Sequence, residues 1–177
     1  GDLTVNGTGL LTTTSSITVG GTTTVGNGRT LSNGSAFTFI SPTITAIGTG
    51  QFTNSGIVTV STSLDGSGLF SNGATGTLNI GFASAPTITT LTATASGNIV
   101  NYTAAAPNCK VTTYDTLNFT GSGAVTCAVT TVAAINTSGT VSWTTTSSIN
   151  VSGGINIGTG TSITNGAFTF TSPTIGV

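Results

Sequence analysis

The 177-residue chain has no histidine and no methionine, and only five side chains carry charge: Asp2, Asp65, Asp115, Arg29 and Lys110. Charged residues make up 3% of it, against about 25% in an ordinary soluble domain. Without histidine there is no Ser–His or Cys–His pair to activate a nucleophile. Hydrolysis by paired carboxyl groups would need two of just three aspartates to meet. Two basic residues cannot neutralise a phosphate backbone, which excludes nucleic acid as a partner. No apolar run approaches the roughly 18 residues of a membrane-spanning helix. The calcium-binding repeat G-G-x-G-x-D is missing. Turns such as "GNGRT" (Gly26–Thr30) lack the lysine and following helix of a phosphate-binding loop. The expectation is a non-enzyme with no cofactor and no metal. No secretion signal or initiator methionine is visible, so a mature or excised segment is expected.

Cysteine is scarce as well. Cys109 and Cys127 stand 18 positions apart with no histidine and no third cysteine, too few ligands for zinc. A disulfide is expected, with two buried thiols as the alternative. Asp65, in "SLDGSG", reads as a turn carboxylate bonded to its own backbone. Asp115 reads as structural, Arg29 and Lys110 as solvated cations, and Trp143 as core rather than a platform for sugars.

What is abundant is hydroxyl: 43 Thr and 20 Ser, with 26 Gly and 14 Asn beside them. Polar low-complexity chains are often disordered because they bury too little apolar surface. Here hydrophobic residues reach 36% and alternate with polar ones in "SITVG", "AFTF", "GIVTV", "TLNI" and "TVSW". Period-two alternation gives a strand one apolar and one polar face. Threonine, β-branched yet hydrophilic, suits the outer face.

The chain also repeats itself. Leu11–Ile44 aligns with Trp143–Ile175, one residue being deleted beside Ser35, with 20 of 33 positions identical. Apolar spacing and turn glycines match together: Ile17 with Ile149, Gly26 and Gly28 with Gly158 and Gly160, Phe39 with Phe170, Pro42 with Pro173. This reads as a long structural repeat, its period about 131 positions, within a single repetitive domain, residues 1–177. Shorter echoes recur at a spacing of roughly 18–20, as between "QFTNSGIVTV" (Gln51–Val60) and "LFSNGATGTLNI" (Leu69–Ile80). A unit of that size cannot close a core alone, whereas stacked units can.

The predicted fold is therefore all-β, a parallel β-solenoid of about eight or nine coils of roughly 18–20 residues, each with two or three short strands. Glycine and asparagine at its corners are expected to supply positive φ. Cys109 and Cys127 would lie one coil apart, within the Cα range of a disulfide. Stacked like charges would repel, whereas Thr, Ser and Asn ladders can hydrogen-bond along the stack. The alternative is a β-sandwich pilin completed by a neighbour's donor strand, with "GDLTVNGTGLLTTTSS" as that strand.

One stretch, "ASGNIVNYTAAAPNCKVTTYDTLNFTGSGAVTC" (Ala95–Cys127), resembles repeat units of very large bacterial surface proteins. Those units read G-N-x-V-x-Y, a short spacer, then Y-x-x-L-x-x-S-G-S-G-x-x-T. Gly97, Asn98, Val100 and Tyr102 match the first half; Tyr114, Leu117, Gly121, Ser122, Gly123 and Thr126 match the second. Pro107 and Cys109 depart from the spacer. The resemblance implies an adhesin-like or fibre-like protein with no enzymatic activity.

The function expected is an extracellular, cell-surface fibre, stalk or adhesin segment. It would associate end to end or continue covalently as a longer array, and the sequence names no receptor. A donor-strand-exchanged pilus subunit is the second reading. Third is a ligand-binding solenoid, such as an ice binder using the triplets Thr12–Thr14, Thr22–Thr24 and Thr144–Thr146. Six Asn-x-Ser/Thr sequons start at Asn6, Asn33, Asn101, Asn118, Asn136 and Asn150. About five would arise from this composition by chance, so they are weak glycosylation signals.

Overall fold

A computed structural model describes all residues 1–177. It is all β: twenty short strands, every pair of them parallel. They form a β-solenoid of nine coils, and each coil visits three faces in the order one, two, three. Parallel pairing throughout excludes the β-sandwich alternative.

Face one is the continuous column. Ile17, Phe39, Val58, Leu78, Val100, Leu117, Ile135, Ile155 and Ile175 lie in register on successive coils. Face two begins with Leu3–Val5, Thr22–Val25 and Thr43–Ala46, and ends with the three-stranded sheet of Ser122–Val125, Thr140–Thr144 and Ser162–Thr164. Face three starts with the five-stranded sheet from Leu10–Thr12 to Thr90–Thr92 and continues through Tyr114, Val132 and Val151. Coil length varies: the register partners Asn101 and Asn118 are 17 apart in sequence, and Asn79 and Asn101 are 22 apart. That range brackets the 18–20 read from the echoes.

Alternation decides what points inward. In Thr77–Ile80 and Ile99–Tyr102 every second side chain is fully buried, and 34 buried hydrophobic residues make one continuous core. Phe39, Phe52 and Phe70 form an aromatic row inside it, successive ring centroids 5.1 Å apart.

The corners hold two surprises. All but one of the positive-φ residues are glycines, and the exception is Ala106 at φ 47°. Asparagine never takes that conformation; at the corners Asn27, Asn33, Asn54 and Asn72 bond along the stack instead. The second concerns the duplicated segment. Ile17 lies on face one, paired with Phe39, while its counterpart Ile149 lies on face three, paired with Phe170. Leu31 is on face three and its counterpart Ile163 on face two. The second copy thus sits six and two-thirds coils along, rotated by one face.

Local structure survives that rotation. Thr13 Oγ1 donates to Asn33 Oδ1 at 3.1 Å and Thr145 Oγ1 to Asn165 Oδ1 at 3.0 Å. Ser41 Oγ donates to Thr43 O and Ser172 Oγ to Thr174 O, each at 2.7 Å.

Candidate functional site

Three features stand out from the repetitive shaft: a cystine with a buried polar cluster, two amide ladders, and a hydroxyl-covered face. The cystine joins Cys109 to Cys127 across adjacent coils, Cα atoms 5.0 Å apart. Parallel pairing of Asn108 with Thr126 places the two cysteines side by side. In the same region lies the chain's only pair of tyrosines. Tyr114 Oη donates to Lys110 O at 2.7 Å, so the Tyr102 hydroxyl, 3.0 Å away, donates to Tyr114 while accepting from Lys110 N at 3.0 Å. Burial pushes the Tyr102 phenol up to about 12 and raises that of Tyr114 well above its ordinary value. These hydroxyls give the strand-free segment Thr103–Thr113 partners inside the core.

The first amide ladder is buried on face three. Asn33 Nδ2 donates to Asn54 Oδ1 at 3.0 Å, and Asn54 Nδ2 to Asn72 Oδ1 at 2.8 Å. Each of these three also reaches a main-chain carbonyl at a corner: Ile57 O, Thr77 O and Ile99 O. The second ladder runs along the outside of face one: Asn136 to Asn118 (2.7 Å), Asn118 to Asn101 (2.8 Å), Asn101 to Asn79 (2.7 Å) and Asn79 to Thr59 (3.2 Å). Ladders in general follow from stacking, but the sequence does not single out these asparagines. The recurrence of "TNSG" and "SNGATG" with asparagine 18 apart is the available signal, and it reads equally well as turn chemistry.

These ladders place the six sequons. Asn33 is fully buried. Asn101, Asn118 and Asn136 are half-buried, each with its amide nitrogen committed to the ladder. Asn6 and Asn150 are exposed.

On face two, Thr22 and Thr24 stack outward on Thr43 and Thr45, which stack on Ser63 and Asp65. Asp65 does not bond its own backbone. Its carboxylate takes the Thr45 hydroxyl of the adjacent coil and the Ser63 hydroxyl at 2.9 Å, because an outward strand position puts neighbouring hydroxyls nearer than the turn amides. Asp2 Oδ1 accepts Thr22 N at 2.8 Å and Asp115 Oδ2 accepts Gly97 N at 2.8 Å. Each aspartate thus binds the adjacent coil. Of the threonine triplets, Thr13, Thr23 and Thr145 point into the core, so only part of each reaches the surface. Trp143 is buried against Phe119, ring centroids 5.3 Å apart.

No group of three or more His, Cys, Asp or Glu side chains lies close enough to hold a metal ion, and no helix is long and apolar enough to cross a membrane. At the end coils, apolar positions are uncovered: Leu11 is 43% exposed and Ile175 60%. A cleft of about 250 Å³ beside Ile175 is lined by Ile155, Ile157, Ile163 and Phe170 as well.

No protein-family model, curated protein or solved structure matches this chain.

Proposed function

We propose that the chain is a structural segment of an extracellular, cell-surface fibre or stalk, adhesin-like in kind. The observation that carries this reading is the uninterrupted nine-rung column of face one. At about 4.8 Å per coil it makes a rod about 40 Å long. Its three aspartates are spread along it and spent on inter-coil bonds, which supports a scaffold rather than a catalyst. The cystine suits an oxidising compartment outside the cytosol. The resemblance of Ala95–Cys127 to bacterial surface repeats points the same way.

The uncovered rungs at Leu11 and Ile175 favour continuation of the stack, by further coils of the same polypeptide or by a second copy docked end to end. A solenoid left open at its ends has unpaired strand edges that invite such growth. The native polypeptide is weighed in denaturant with its disulfide reduced, and the native material is viewed by electron microscopy. A mass far above 17.2 kDa, or filaments built from a species of that mass, is expected. A monomer of 17.2 kDa that forms no filaments would overturn the reading and put ligand binding by the hydroxyl-covered face first.

A further inference from the structure

The nine coils are not built on one plan. Before residue 80 the two longest strands, Thr38–Ala46 and Ile57–Asp65, run unbroken from face one onto face two, with an irregularity between Ser41 and Thr43. After residue 113 the long strands Thr131–Thr137 and Ile149–Ile157 run from face three onto face one, the irregularity falling between Val132 and Ala134. The positive-φ glycines move with them. Gly28, Gly48 and Gly66 mark the corner between faces two and three, whereas Gly139 and Gly160 mark the corner between faces one and two. The whole pattern slips by one face between the two halves, the same rotation that separates the duplicated segments.

The slip is absorbed between Gly81 and Thr113. There the ladders thin to the short strands Thr90–Thr92 and Ile99–Tyr102 and to three single bridges: Ala93 with Tyr114, Ala105 with Ser122, Asn108 with Thr126. Pro86 and Pro107 each remove a donor, and Ala106 is held at positive φ, a conformation costly for a residue with a Cβ. The cystine and both tyrosines sit within or beside this stretch and nowhere else.

We infer that this region is a cystine-locked joint between two separately stable sub-solenoids. Opening the Cys109–Cys127 bond releases Thr103–Thr113 as one local unit while both halves stay folded. A dithiol reductant would open it, closing its own disulfide as two electrons and two protons convert the cystine to two thiols. The inference goes beyond the fibre reading and does not depend on it.

Trypsin provides a clean probe, because Arg29 and Lys110 are the only basic residues and Lys110 lies in the joint with its main chain tied to the tyrosine hydroxyls. A cut after Lys110 falls between the two cysteines, so in the oxidised protein the fragments stay linked. The full chain is compared with the double variant Cys109→Ser/Cys127→Ser and with dithiothreitol-treated protein, by cleavage rate at Lys110 and by hydrogen exchange. Removing a cross-link between cysteines 18 apart in sequence should raise cleavage about 100-fold. Exchange should quicken in 103–113 and stay slow in 38–80 and 131–157. Protection lost across the whole chain, or a variant that does not fold, would show the bond to staple the entire solenoid. Unchanged cleavage would show that it locks nothing. Either result overturns the joint.

Discussion

Replacing Asn54 by alanine tests the proposition that the buried amide ladder, rather than the outer one, contributes most to holding the coils together. Asn54 makes four bonds: Nδ2 to Asn72 Oδ1 (2.8 Å) and Thr77 O (3.0 Å), and Oδ1 from Asn33 Nδ2 (3.0 Å) and Gly56 N (3.1 Å). Asn33 Nδ2 keeps two other acceptors, Phe37 O and Ile57 O. Asn72 Oδ1 and Gly56 N–H have no second partner and become buried orphans. At about 1–3 kcal/mol for each group left unsatisfied, the loss is about 4 kcal/mol. That is a large part of a typical total of about 5–15 kcal/mol. Asn118→Ala in the outer ladder removes two bonds of similar length, but Asn118 is only half-buried. Water replaces what is lost, and the cost should stay below about 1 kcal/mol. Urea unfolding of both variants, followed by circular dichroism, gives the comparison. Equal costs would refute the reasoning, because the partners stranded by Asn54→Ala are buried and those stranded by Asn118→Ala are open to water.

Three further outcomes follow from the same geometry. Both tyrosines are neutral below about pH 10 in either state, so stability is level there. Above that the unfolded chain releases phenolic protons that the folded chain keeps, and stability falls as pH rises from 10 to about 12. Tyr102 alone accounts for about 3 kcal/mol, and Tyr114 acts in the same direction. Phenolate absorbance should therefore appear together with loss of β circular dichroism; its appearance in intact protein near pH 10 would contradict the burial of the pair. Phe52→Ala, in the middle of the aromatic row, should cost about 3–5 kcal/mol in urea unfolding, as a full-size cavity does. Ala106→Gly should stabilise by about 0.5–1 kcal/mol, since relief of the left-handed backbone outweighs the extra freedom given to the unfolded chain. A lower unfolding midpoint for it would show that the Ala106 methyl contributes more in packing than it costs in strain.

The solenoid was legible because period-two alternation, hydroxyl-rich outer positions and a short recurrence all constrain the same thing, namely a strand that stacks on a copy of itself. The cystine was legible for the same reason: its sequence separation of 18 is one coil, and one coil is one strand spacing. What stayed hidden is which face a segment occupies. Ile17 and Ile149 each follow the run Thr-Thr-Thr-Ser-Ser, and the preceding serines, Ser16 and Ser148, accept from the equivalent main-chain groups Thr38 N and Thr169 N, yet the two isoleucines belong to different faces. Similarity of sequence specifies a strand, a corner and another strand, and all three faces of this solenoid accept that unit. Phase around the axis is set instead by how many residues intervene, and it changes where one short region, Gly81–Thr113, departs from the pattern. Membership of the asparagine ladders was hidden for a related reason. A corner asparagine serves turn chemistry and inter-coil bonding with the same amide. Only the stacked neighbour one coil away, as at Asn54 and Asn72, decides which role it takes. The informative positions in such a chain are thus the breaks in its repetition. Both cysteines and both tyrosines of the chain lie within or beside the one region where the coil plan changes.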